Sequence, residues 1–96
     1  MGAAIVVKDS REISINACQI KNPNFNGIQI ERSTNSQIMN CIISENAKNN
    51  GMLRGITLGG VCTGTLVKDN SVAKGKQAGI SNYATGVLMK ENISID

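Results

Sequence analysis

Chemistry in this chain has few places to come from. There is no histidine, and the aspartates number three: Asp9, Asp69 and Asp96. Proton transfer near neutral pH usually rests on an imidazole or on carboxylates held in pairs. The three cysteines, Cys18, Cys41 and Cys62, form no Cys-x-x-Cys, and without histidine they make no zinc ligand set. Gly59-Gly60-Val61-Cys62-Thr63-Gly64 has the glycine content of a phosphate cradle but lacks the Lys-Ser/Thr pair that completes one, so it reads as a tight turn. Asn92-Ile93-Ser94 is a glycosylation acceptor only in an extracytoplasmic eukaryotic setting. Net charge is +3 with pI near 8.9, yet basic and acidic residues are interspersed. With no arginine cluster and no aromatic stacking platform, nucleic acid is not an expected partner. No metal and no cofactor is expected. The polar residues worth following are Gln29, Glu31, Arg32, Arg54, Thr57, Ser81 and Asn82.

What would position them is a repeat. Ile5, Ile28, Ile56 and Ile80 are spaced by 23, 28 and 24 residues, and Ile15, Ile38, Val67 and Met89 follow at 23, 29 and 22. Cys18, Cys41, Asn70 and Asn92 stand three residues after each member of the second set. The extra length of the second unit falls between Ser44 and Arg54, and an insertion confined to one turn is what a solenoid tolerates. Segments such as Gly27-Ile28-Gln29-Ile30 and Gly55-Ile56-Thr57-Leu58 alternate with period 2, so the isoleucines face one way and Gln29 or Thr57 the other. No window carries a sustained helical period, and Ser44–Leu53 is the one weak exception. Strands repeating in one direction cannot be hairpins; they stack as parallel rungs about 4.8 Å apart.

On these motifs the chain resembles the right-handed parallel β-helix family typified by pectate lyases and phage tailspikes. In that family an Ile-x-x-Asn-x-Ile segment follows the first strand, and its Asn bends the chain between the second and third strands. Val67-Lys68-Asp69-Asn70-Ser71-Val72 is the best match, whereas Cys18 and Cys41 depart from it. The resemblance implies an all-β, right-handed parallel β-helix solenoid of about four coils of roughly 22–28 residues, with three short strands per coil, in one domain over residues 1–96. A left-handed hexapeptide helix would step in multiples of six, which these spacings, 24 alone excepted, do not.

Composition agrees. The chain is 41% hydrophobic with one Phe, one Tyr and no Trp, which suits an aliphatic stack, and twelve Asn and ten Gly suit its turns. Because the pattern is open at both ends, the chain is expected to be a segment of a longer solenoid or to have its ends covered by another chain. Phe25 is expected to pack on the coil edge, and the third turn of the second coil, Ala47 to Arg54, to project further than the others as a loop. Cys18 and Cys41 should stack on neighbouring rungs within reach of a disulfide; buried free thiols are the favoured reading, with Cys62 a further small filler. No signal peptide is visible, and no apolar run of 18 residues exists for a membrane helix.

In the family, substrate lies along the first sheet, and chemistry comes from an Arg or Lys base, from calcium-binding Asp, or from paired Asp. The outward residues of that sheet here, Val6, Gln29, Thr57 and Ser81, are short or neutral, and no carboxylate pair falls at equivalent positions. No catalytic residue is assigned, and the reading leans away from an enzyme. If the chain is one, the resemblance implies a carbohydrate-active lyase or glycoside hydrolase. The expected function is a non-catalytic module, structural or polysaccharide-contacting, of a surface, secreted or phage-associated protein. Its groove would use Gln29, Glu31, Arg32, Arg54, Thr57, Ser81 and Asn82, without aromatic residues. The alternatives are a fragment of a polysaccharide lyase or hydrolase whose catalytic residues lie elsewhere, and a scaffold that self-associates as a homo-oligomer or by end-to-end stacking. The resemblance favours an extracellular, cell-surface or virion setting.

Overall fold

The computed structural model describes residues 2–45 and 51–95, and within them every regular element is a strand. The first coil carries β1 (Ala3–Lys8), β2 (Ser14–Asn16) and β3 (Gln19–Lys21). The second carries β4 (Phe25–Glu31), β5 (Gln37–Met39) and β6 (Ile42–Ser44). The third consists of β7 (Met52–Lys68) and β8 (Ser71–Ala73), and the fourth of β9 (Ala78–Lys90) and β10 (Ile93–Ile95). Every pairing is parallel. The first sheet runs β1-β4-β7-β9, the third runs β3-β6-β8-β10, and between them β2 pairs with β5 and β5 with the later part of β7.

Expected registers hold residue for residue. Ile5 lies against Ile28, Ile28 against Ile56 and Ile56 against Ile80, while Ile15, Ile38, Val67 and Met89 form the matching stack in the second sheet. Period-2 alternation turns these columns inward, and Ile28, Ile30, Ile38, Ile43, Ile56, Leu58, Val67 and Val72 are fully buried with Cys41 and Cys62. Ile5, Ile13, Ile20, Ile80 and Val87 are only partly covered, because each has a rung on one side. Gly55 is required by close approach: a Cβ there would collide with Val72 of the third sheet and come within 2.9 Å of the Gly79 carbonyl.

Two structures replace single turns. In the first two coils the corner after the first sheet breaks the strand, with Asp9, Glu12, Arg32 and Asn35 at positive φ. In the third coil Gly60 and Gly64 supply the positive φ at 77° and 80°, so β7 passes through the corner as one bent strand, and the glycine-rich stretch read as a tight turn belongs to it. The second corner is uniform: Ala17, Asn40, Asp69 and Glu91 adopt φ of 58°, 56°, 56° and 56°. Each is followed by the residue of the internal ladder. Asn70 Oδ1 accepts from the Cys41 amide at 2.9 Å, and its Nδ2 donates to the Ile38 carbonyl at 3.0 Å and to Asn92 Oδ1 at 2.9 Å. Asn92 Nδ2 donates to the Val67 carbonyl at 2.9 Å, and the Cys41 thiol lies 3.8 Å from the carbonyl of Ile15, the residue equivalent to Ile38 and Val67.

Two local expectations are revised. Phe25 is 42% exposed, held at φ 67° with its amide donating to the Gly51 carbonyl, so its ring stands off the coil edge instead of packing on it. Met52, Leu53 and Arg54, placed at the end of a projecting loop, are the first residues of β7; Met52 is buried and pairs with Phe25. Of the rest of that loop, residues 47–50 lie outside the described residues. All three cysteines are free thiols, Cys41 and Cys62 buried and Cys18 partly covered.

Candidate functional site

On the outer face of the first sheet two side-chain columns run across the rungs. One is Val6, Gln29, Thr57 and Ser81; the other is Lys8, Glu31, Gly59 and Tyr83. Beside them Asn26 pairs with Arg54 across β4 and β7. These columns border a groove of about 340 Å³ lined by Gln29, Glu31, Thr57, Arg54, Asn26 and Tyr83, with the strand segments at Ile30 and Leu58–Gly59 as its floor.

One hydrogen-bonded chain orders its polar wall. Gln29 Nε2 donates to Glu31 Oε1 at 3.0 Å, and Asn26 Nδ2 reaches Gln29 Oε1 at 3.5 Å. A carboxylate accepts only, so Glu31 fixes which end of the Gln29 amide faces it, and Gln29 in turn fixes Asn26. The relay leaves Asn26 Oδ1, on a side chain 5% exposed, as a buried acceptor with no partner among the described residues. Such an atom is costly unless a donor from outside the chain reaches it. Glu31 is also drawn toward the lower rungs by Lys8 Nζ at 3.7 Å and Arg32 Nη1 at 3.9 Å. Arg54 carries no ion pair or side-chain hydrogen bond among the described residues, so its charge is uncommitted within the groove.

Of the residues picked out in the sequence, Gln29, Glu31, Arg54 and Thr57 are brought together here. Arg32 is not a lining residue. Its Nε and Nη2 grip Asp9 at 2.6 and 3.1 Å across 23 residues, and that hydrogen bond holds the Asp9 carboxyl below its usual pKa and raises that of the guanidinium. Ser81 follows Thr57 in the outer column but is 8% exposed and does not border the groove. Asn82 continues the inward column of Ile30 and Leu58; its Oδ1 accepts from the Ala84 amide at 3.0 Å, which turns it away.

The groove also contains what the sequence reading left out: Asn26, Gly59 and Tyr83. Tyr83 is 75% exposed and supplies the aromatic face that the groove was expected to lack. Its signal was in the repeat, since Tyr83 occupies the place of Gly59 one coil earlier and of Glu31 two coils earlier. Chemically, the groove offers amides, the hydroxyls of Thr57 and Tyr83, an aromatic ring, an arginine and one carboxylate. It holds no second acidic side chain among the described residues, and these contain no cluster of three metal-ligating side chains.

Among known proteins, no curated sequence and no solved structure matches this chain. The family model described as the right handed beta helix region matches residues 1–96. With four parallel coils in the registers above and a family match along its whole length, this chain belongs to the right-handed β-helix family.

Proposed function

We propose that this chain is a non-catalytic β-helix module of a surface, secreted or phage-associated protein, and that its first-sheet groove contacts polysaccharide. The observation that carries the reading is the groove itself. A row of amide and hydroxyl groups, ordered by the Gln29–Glu31 bond, lies beside the exposed face of Tyr83. Sugars present this alternation in mirror form, with hydroxyls at the ring edge and apolar C–H groups on its face; a few placed polar groups and an aromatic wall are what a small-molecule site needs. Acid-assisted glycoside cleavage uses two carboxyl groups roughly 5–9.5 Å apart. The groove contributes Glu31 alone, which supports contact over cleavage.

The test is retention on a glycan array and on immobilised polysaccharides, with the folded state of each variant verified by circular dichroism. Gln29→Ala and Thr57→Ala should each weaken retention about five- to thirtyfold, the equivalent of about 1–2 kcal/mol for a lost buried hydrogen bond. Unchanged retention in both variants would remove the groove from consideration.

A further inference from the structure

We infer that Gly59 opens a slot for one sugar ring, so that the groove grips a single terminal or branch sugar and not a run of consecutive units. This rests on the polysaccharide reading above and adds to it the part of the glycan that is held.

The column Lys8, Glu31, Gly59, Tyr83 carries a side chain on every rung except the third. A Cβ built at Gly59 meets no atom within 4 Å, so the gap is real space that neighbouring side chains do not fill. Unlike Gly60 and Gly64, Gly59 has no positive φ, so its backbone does not demand glycine. The missing side chain therefore answers to something other than the fold. Glu31 does not lean across the gap: Gln29 on its own rung and Lys8 on the rung below hold it back. Tyr83 forms the opposite wall.

The gap has a definite size. Glu31 and Tyr83 are two rungs apart, roughly 9.6 Å at about 4.8 Å per rung. One saturated ring in contact with a wall on each side needs roughly 7–8 Å between those walls, given carbon contacts of about 3.5–4.0 Å. Two stacked layers would need roughly 10.5–12 Å on the same spacing, still more than the gap. One ring fits and two do not. The adjoining column supplies Gln29 and Thr57 at the edge of the slot, where ring hydroxyls would meet an amide and a hydroxyl. Held this way, a ring lies crosswise to the coil axis, and the chain attached to it leaves the surface instead of following the sheet.

A printed array carrying mono-, di- and longer oligosaccharides tests this directly with wild-type protein, Gly59→Leu and Tyr83→Ala. Wild-type chain should retain glycans that share one terminal residue whatever lies behind it, with affinity varying less than about threefold with length. Gly59→Leu fills the slot without touching backbone, so it should melt like wild type and lose at least tenfold in retention. Tyr83→Ala, at an exposed position, should lose a comparable amount. Retention that climbs with the number of internal repeats, or a folded Gly59→Leu that binds like wild type, overturns the slot while leaving the polysaccharide reading in place. No retention of any glycan by wild-type protein overturns both.

Discussion

At the scale of single residues, chemical type says less than rung position. Arg32 and Arg54 are the same side chain, yet one is spent on Asp9 and the other stands in the groove. The Asp9–Arg32 pair is exposed, and such pairs add little to stability. Its effect is on titration. A carboxyl whose folded pKa is lowered contributes above the unfolded value and loses that contribution as pH falls through the folded one. An NMR titration of the Asp9 carboxyl should therefore show it moving up toward the ordinary aspartate value in Arg32→Gln, with near-neutral stability barely changed. Thiols separate in the same manner. Burial raises the pKa of Cys41 and Cys62 is sealed in the core, whereas Cys18 is partly open. Native protein treated with a thiol reagent at pH 8 should label at Cys18 first, and Cys41 and Cys62 should label only as fast as the chain unfolds.

At the scale of elements, the second corner shows how a weak sequence motif becomes a strong structural one. Four residues in the left-handed region would each strain the chain, and the ladder behind them holds the bend. Asn70 alone makes three side-chain bonds, to the Cys41 amide, the Ile38 carbonyl and Asn92. Asn70→Ala would strand buried partners on two rungs and should cost about 2–4 kcal/mol, read as a lower urea midpoint. Cys41 departs from the asparagine pattern, yet its thiol lies over the Ile15 carbonyl, where a ladder amide would donate. The register survives the substitution because the rung's backbone bonds and the Ile15–Ile38 stack carry it.

At the scale of the whole molecule, a solenoid of four coils is a one-dimensional stack, and its stability is a sum over neighbours. The second and third coils have a rung on either side and hold the fully buried isoleucines, whereas Ile5, Ile20 and Ile80 in the outer coils are half covered. Opening should therefore begin at the outer coils. Amide hydrogen exchange should be slowest in the first-sheet part of β4 and β7 and faster in β3 and β10, by a factor of about 10 or more. Uniform protection across all four coils would mean that the stack opens as one unit.

Much of this architecture was legible along the chain because a β-helix writes its register as a period. Spacings of 22–29 residues between equivalent apolar residues became rung pairs without revision, and alternation told Ile28 from Gln29. A repeat fixes which residues share a column, and with it Gln29, Thr57 and Glu31 were placed on the outer face of the first sheet. It does not say how long side chains distribute themselves across neighbouring rungs, since ion pairs of similar strength compete over a few ångströms. That competition sent Arg32 to Asp9 and kept Glu31 with Gln29. Nor does a repeat weigh an absent side chain. Gly59 looks in sequence like one more turn glycine, and Tyr83 like a lapse from the pattern. Only the three-dimensional stack sets the empty position between Glu31 and an exposed ring, because the gap exists between rungs and not along the chain.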